Sequence, residues 1–131
     1  MRLGSTILLA AALLGCGRPR PGDAPTVRLG SDPCARCGMI VSEERFAAGY
    51  VGDDGGSVVY DDLGEMLAAL DERPELRGRA WVRDMKDGGW LRLKDAHAVR
   101  VPGLATPMGS GWIAFARQAD AEAFARERAR R

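Results

Sequence analysis

A glycine-rich turn at residues 52–56 most strongly limits what this chain can fold into. The run Gly-Asp-Asp-Gly-Gly separates two short β-prone segments, residues 46–51 and 57–60. Turn residues between two such segments are typical of a β-hairpin. The sequence therefore predicts two antiparallel strands in the middle of the chain.

An amphipathic helix is predicted directly after this hairpin. Asp61 and Asp62 are candidate N-cap residues, and Glu65 stands three residues after Asp62, which is the spacing of a capping box. Apolar residues then recur at the i, i+3, i+4 and i+7 positions that share one buried helix face. They are Leu63, Met66, Leu67 and Leu70.

The second half of the chain resembles the first in outline. Strands are predicted at residues 79–83 and 90–93 around a turn, and another at 112–115 leads into a helix at about 118–128. A strand that ends in an aromatic residue and leads into a helix thus occurs twice, which indicates a weak internal duplication. We expect an α+β fold of two small ββα-type halves with antiparallel strands.

The N-terminus has the pattern of a bacterial lipoprotein signal peptide, predicted over residues 1–15. Arg2 precedes a short apolar core, and the run Leu-Leu-Gly-Cys ending at Cys16 resembles a lipobox. We expect Cys16 to be lipidated and to anchor the protein on the periplasmic side of a bacterial membrane. A flexible, Pro-rich tether is expected over residues 16–25, and the folded domain over residues 26–131.

Soft sulfur donors cluster near the start of that domain. Cys34, Cys37 and Met39 lie close together in sequence, and thiolate and thioether donors favour Cu(I), zinc or iron–sulfur over hard cations. On a strand, Cys37 and Met39 would point to the same face, and the β-branched residues that follow favour a strand. Three other interpretations stay open: half of a zinc site, a redox dithiol, and a structural disulfide between Cys34 and Cys37.

Two further residues are candidate ligands. Met108 stands between Pro107 and Gly109 in a predicted turn, where packing into the core is less expected. His97 is the single histidine and could complete a copper shell, although its position at a strand edge predicts exposure to solvent.

The sequence favours a binding protein over an enzyme. It has no G-x-S-x-G motif and no glycine-rich phosphate loop, and helix capping explains Asp61 and Asp62 better than acid–base catalysis. The net charge of +1 gives no electrostatic basis for binding nucleic acid.

Several motifs occur in an order that resembles one protein family. They are Cys-Gly-Met at residues 37–39, Tyr-Asp-Asp at 60–62, Trp-Val-Arg-Asp-Met at 81–85, and Thr-Pro-Met-Gly-Ser-Gly at 106–111 with a later Ala-Phe. With the lipobox, they make the chain similar to the NosL family, lipoprotein copper chaperones linked to the assembly of nitrous oxide reductase.

The resemblance implies a periplasmic carrier of Cu(I) that delivers copper to the copper–sulfur centre of nitrous oxide reductase. The family's Cys-x-Met motif falls on Cys37 and Met39, and its second methionine falls on Met108. Cys34 adds a thiol to that set. The implied partners are apo nitrous oxide reductase, a membrane ABC-type transporter complex of the same pathway, and the membrane that holds the anchor.

Other functions fit the same residues. An extracytoplasmic thiol–disulfide protein would use Cys34 and Cys37 as its dithiol, and a general copper-binding lipoprotein would use the same sulfur donors with another acceptor. A metal-free interaction lipoprotein is a third possibility.

Overall fold

The computed structural model of the chain describes residues 17–131. Short 3-10 turns at Glu44–Phe46, Pro74–Arg79 and Leu93–Asp95 accompany the regular elements. In this part of the chain the strands and helices are, in order, β1 (Ala48–Val51), β2 (Ser57–Tyr60), α1 (Leu63–Glu72), β3 (Trp81–Arg83), β4 (Trp90–Arg92), β5 (His97–Arg100), β6 (Trp112–Phe115) and α2 (Gln118–Ala129).

The strands form two antiparallel sheets, one ordered β2-β1-β3-β4 and the other pairing β5 with β6. In the predicted hairpin, Ala48 pairs with Tyr60, and the Gly52 N–H donates to the Gly56 carbonyl at 2.8 Å. The α+β prediction is confirmed: β1–β2–α1 and β5–β6–α2 are two ββα units. The β3–β4 hairpin extends the first sheet, because β3 pairs with β1 at Val82 and Ala48.

The apolar stripe of α1 packs against the four-stranded sheet. Leu63, Met66 and Leu70 are buried, and their cluster includes Ala48 of β1 and Val82 of β3. Burying a side chain of this size contributes roughly 1.5–3 kcal/mol. The stripe therefore holds the beginning of α1 firmly against the sheet.

The second ββα unit has its own small core. Ala121 of α2 packs with Phe115 of β6, and the Phe115 and Phe124 ring centroids are 5.6 Å apart. The two sheets meet at Ala114 of β6, which forms a parallel bridge with Asp84 and accepts a 2.8 Å hydrogen bond from the Met85 N–H.

The chain begins to contact the domain slightly before the predicted boundary. The Gly22 carbonyl accepts a hydrogen bond from the Arg92 guanidinium at 2.9 Å, and Pro25 is buried. None of the helices in the described range has the length and apolar character needed to span a bilayer. The predicted signal peptide and Cys16 lie outside the described residues.

Candidate metal centre

The sulfur motif at residues 34–39, termed the cysteine turn, forms a closed turn and not the expected strand. The Cys34 N–H donates to the Met39 carbonyl at 2.7 Å, and the Gly38 N–H donates to the Cys34 carbonyl at 2.9 Å. Gly38 has a φ of +76°, a left-handed conformation that glycine adopts readily. The strand prediction is wrong here because the backbone reverses direction at Gly38.

The cysteine turn is attached to the first ββα unit. The Ala35 N–H donates to the Val59 carbonyl of β2 at 2.8 Å. Cys34 is buried in the core cluster beneath α1, whereas Cys37 packs at the edge of that cluster and is partly exposed. Both cysteines have free thiols, so one thiol faces the core and the other reaches the surface.

Two carboxylates at the beginning of α1 lie next to these thiols. A Glu65 carboxylate oxygen and the sulfur atoms of Cys34 and Cys37 all lie within 4.8 Å of one another. The Cys37 thiol also contacts the Asp61 carboxylate, with sulfur–oxygen distances of 3.6 and 3.7 Å. The sequence predicts only a helix-capping role for Asp61 and Glu65 and does not indicate that either acid lies beside the thiols. Glu65 lies in the first turn of α1, whereas Asp61 precedes the N-cap Asp62, so no local sequence pattern indicates that both acids reach the thiols.

The Cys37 thiol is protonated at neutral pH. Burial raises its pKa to about 11, the Cys34 thiol and the Asp61 carboxylate raise it as well, and a hydrogen bond from the Met39 backbone offsets part of the increase. A cation that binds Cys37 as thiolate must therefore displace a proton. A redox-active dithiol typically needs the opposite shift, a lowered thiol pKa.

Residues 106–110, termed the methionine loop, are held by the buried carboxylate of Asp62. This carboxylate accepts hydrogen bonds from the Thr106 hydroxyl at 2.6 Å, from the Met108 backbone N–H at 2.9 Å, and from the Ser110 hydroxyl. Asp62 was predicted only as the N-cap of α1. The structure adds a second role, because the same carboxylate fixes the backbone of Met108.

The contact between the methionine loop and α1 is close. Asp62 accepts the N-cap hydrogen bond from the Gly64 N–H at 2.8 Å, and a Cβ atom placed on Gly64 would clash with the Ser110 side chain. Burial alone would raise the pKa of Asp62, but hydrogen bonds from Ser110, Thr106 and two backbone N–H groups hold it below its usual value. The missing side chain of Gly64 and the ionised carboxylate of Asp62 thus allow the methionine loop to pack closely against α1.

The cysteine turn and the methionine loop contact two consecutive residues at the beginning of α1. Asp61 contacts Cys37, and Asp62 binds the backbone of Met108. The thioether side chains are exposed, since Met39 is 52% and Met108 41% accessible, whereas the core residue Met66 is 0% accessible. The Cys37 thiol and the Met108 backbone, from two distant parts of the chain, therefore lie against adjacent residues at the beginning of α1.

His97 is not part of this group of candidate donors. It is exposed on β5, where it pairs with Phe115 of β6. Within residues 17–131, the close group of candidate donors consists of Cys34, Cys37 and Glu65 and does not include His97. Its assignment as a copper ligand stays a prediction.

The chain belongs to the NosL family, whose model matches residues 27–129. The family consists of copper-binding accessory proteins, and membership gives the chain a copper-related role connected with the maturation of nitrous oxide reductase. A comparison with curated proteins found no match. The two thiols at the beginning of α1 suit such a role, because thiolate groups are soft ligands.

Proposed function

We propose that this protein is a membrane-anchored Cu(I) chaperone that delivers copper to nitrous oxide reductase during assembly of its copper–sulfur centre. Cys37, Met39 and Met108 are its ligands, and Cys34 is a further thiol within reach. The observation that carries the proposal is the meeting of the cysteine turn and the methionine loop at Asp61 and Asp62, with both thioethers exposed.

Each donor has a distinct part in holding and releasing the cargo ion. Cys37 gives up its proton and binds as an anion, so it supplies the strongest contact. The thioethers of Met39 and Met108 are neutral and do not titrate, so they add soft contacts without changing the charge of the site. Because both are accessible, an incoming thiolate, imidazole or sulfide of an acceptor can replace them one at a time.

The location and partners are part of the same proposal. Lipidation at Cys16 would hold the domain at the periplasmic face of a membrane, near a membrane ABC-type transporter complex that participates in the same assembly. Apo nitrous oxide reductase is the acceptor. A general copper-binding lipoprotein would have the same ligands, so the acceptor distinguishes the two functions.

A thiol–disulfide function has less support. The C-x-x-C segment is a closed turn that does not open a helix, and the pKa of Cys37 is raised and not lowered. Both features are opposite to those that activate the dithiols of disulfide oxidoreductases.

We expect Met39→Leu and Met108→Leu each to weaken Cu(I) binding by at least about tenfold, with little change in folding, because each removes one thioether from an exposed position. The measurement is an anaerobic Cu(I) titration of the reduced protein against a competing chelator. Met85→Leu is the matched control, since Met85 packs against the second core cluster.

A second arm of this experiment tests the acceptor. The copper-loaded protein should transfer copper to apo nitrous oxide reductase and not to an unrelated copper-free cuproprotein. Equal transfer to both would support a general carrier, and Met39 and Met108 variants that bind Cu(I) like the Met85 variant would refute the ligand assignment.

A further inference from the structure

The two oxygen atoms of the Asp62 carboxylate have different partners. Oδ1 accepts hydrogen bonds from the Gly64 N–H at 2.8 Å and from the Ser110 hydroxyl. Oδ2 accepts hydrogen bonds from the Thr106 hydroxyl at 2.6 Å and from the Met108 N–H at 2.9 Å. The oxygen that caps α1 is therefore not the oxygen that binds Met108, so a substitution can separate the two roles of this side chain.

The two hydroxyl groups extend this contact into the backbone of the methionine loop. Thr106 Oγ1 also accepts a hydrogen bond from the Gly111 N–H at 3.2 Å, and Ser110 Oγ accepts one from the Trp112 N–H at 3.1 Å. The Asp62 residue that binds both hydroxyls is 0% exposed. One buried carboxylate therefore holds both ends of the loop, at residues 106 and 110.

Met108 lies at the exposed tip of this loop. The Gly109 N–H donates to the Thr106 carbonyl at 2.9 Å, which closes a turn around Met108. Because Met108 is 41% accessible, packing restrains it only weakly. Its backbone N–H, in contrast, donates to a carboxylate, and hydrogen bonds to ionised groups are among the stronger ones in proteins. The position of Met108 relative to α1 therefore depends on Asp62.

We propose that Asp62 is a positioning residue of the copper site, which holds the Met108 backbone against α1 before the ion arrives and so determines how much the thioether contributes to Cu(I) binding. Thr106 and Ser110 assist it through their hydroxyl groups. The inference rests on the proposed function, because it requires Met108 as a ligand. A donor that is already held in place loses less conformational freedom when it binds. Freeing the loop therefore weakens binding without removing any sulfur atom.

The test begins with Asp62→Asn in the reduced full-length protein. Asparagine caps helices as well as aspartate does, so its single oxygen serves the Gly64 N–H and its amide group faces the Met108 N–H, which then lacks an acceptor. We expect this variant to weaken Cu(I) binding by about tenfold in the anaerobic titration. Thr106→Val and Ser110→Ala leave the helix cap in place and should weaken binding in the same direction.

A double variant separates positioning from a general loss of structure. Asp62→Asn combined with Met108→Leu should bind Cu(I) no more weakly than Met108→Leu alone, because without the thioether there is no donor to position. Asp84→Asn is the matched control. Asp84 is also buried, and its carboxylate accepts a hydrogen bond from the Lys86 N–H at 3.0 Å in the β3–β4 turn. This variant should bind Cu(I) like the wild-type protein.

A second measurement examines the loop without copper. Hydrogen exchange of the Met108 amide, followed by NMR in the metal-free reduced protein, should be at least about tenfold faster in Asp62→Asn than in the wild type. Exchange at an unchanged rate would show that Asp62 does not hold the loop. Met108→Leu with normal Cu(I) affinity would instead refute Met108 as a ligand, and the exchange rate separates these two failures.

Wild-type Cu(I) affinity in Asp62→Asn would overturn the positioning role. Losses that add fully in the double variant with Met108→Leu, or an equal loss in Asp84→Asn, would overturn it as well. Each variant is checked for folding by circular dichroism. If Asp62→Asn does not fold, the same comparisons with Thr106→Val and Ser110→Ala decide, because these substitutions leave the capping carboxylate intact.

Discussion

Cys37→Ser should lower the affinity for Cu(I) more than any other single substitution, by more than about a hundredfold. Even the loss of a residue outside the ligand set of a metal site costs roughly 10–100-fold in affinity. Here the substitution removes the anionic donor itself and leaves a hydroxyl that does not ionise at neutral pH. The same anaerobic titration with a competing chelator measures the change.

Cys34→Ser is the matched control for this prediction, because Cys34 lies in the same turn but is buried. We expect it to weaken Cu(I) binding less than Cys37→Ser does. A Cys37 variant that binds Cu(I) as tightly as the wild-type protein would contradict the proposed ligand set.

The apparent affinity for Cu(I) should rise about tenfold for each pH unit between pH 6 and 8, which is about a hundredfold in total. The reason is that burial raises the pKa of Cys37 to about 11, so throughout this range the free protein holds the proton that binding must release. The measurement is the same titration repeated at several pH values, with the protonation of the chelator taken into account.

The slope of this pH dependence also reports the number of thiols that bind. One proton released per Cu(I) means that Cys37 binds alone, and two mean that Cys34 binds with it. The Cys37→Ser variant provides the control, because any Cu(I) that it still binds should release one proton fewer than in the wild-type protein. A wild-type affinity that does not change with pH would contradict binding by a thiolate.

The structural features that depend only on residues close together in the sequence were predictable. The Gly52–Gly56 turn, the N-cap at Asp62 and the apolar stripe of α1 depend on local propensities and on short-range hydrogen bonds, so their pattern is visible in a single sequence. The β3–β4 hairpin was also predictable as a hairpin, but its attachment to the first sheet was not. That attachment depends on the pairing of Ala48 with Val82, which nothing local determines.

The candidate site was only partly predictable for the same reason. Cys34, Cys37, Met39 and Met108 could be proposed from their chemistry. The glycine conformation that turns Cys37-Gly38-Met39 away from a strand could not be predicted, because Gly38 is compatible with either geometry. The contacts of Asp61 with Cys37 and of Asp62 with the methionine loop join residues far apart in the chain. They depend on how the turn and the loop pack around α1.

The most direct test of the proposed chaperone is copper X-ray absorption spectroscopy of the reduced protein loaded with one equivalent of Cu(I). The structure leads us to expect a first shell made of sulfur atoms, with one sulfur neighbour fewer in Met39→Leu and in Met108→Leu. A first shell dominated by nitrogen or oxygen, or a sulfur count unchanged by both methionine substitutions, would contradict the assignment of the cysteine turn and the methionine loop as the copper site.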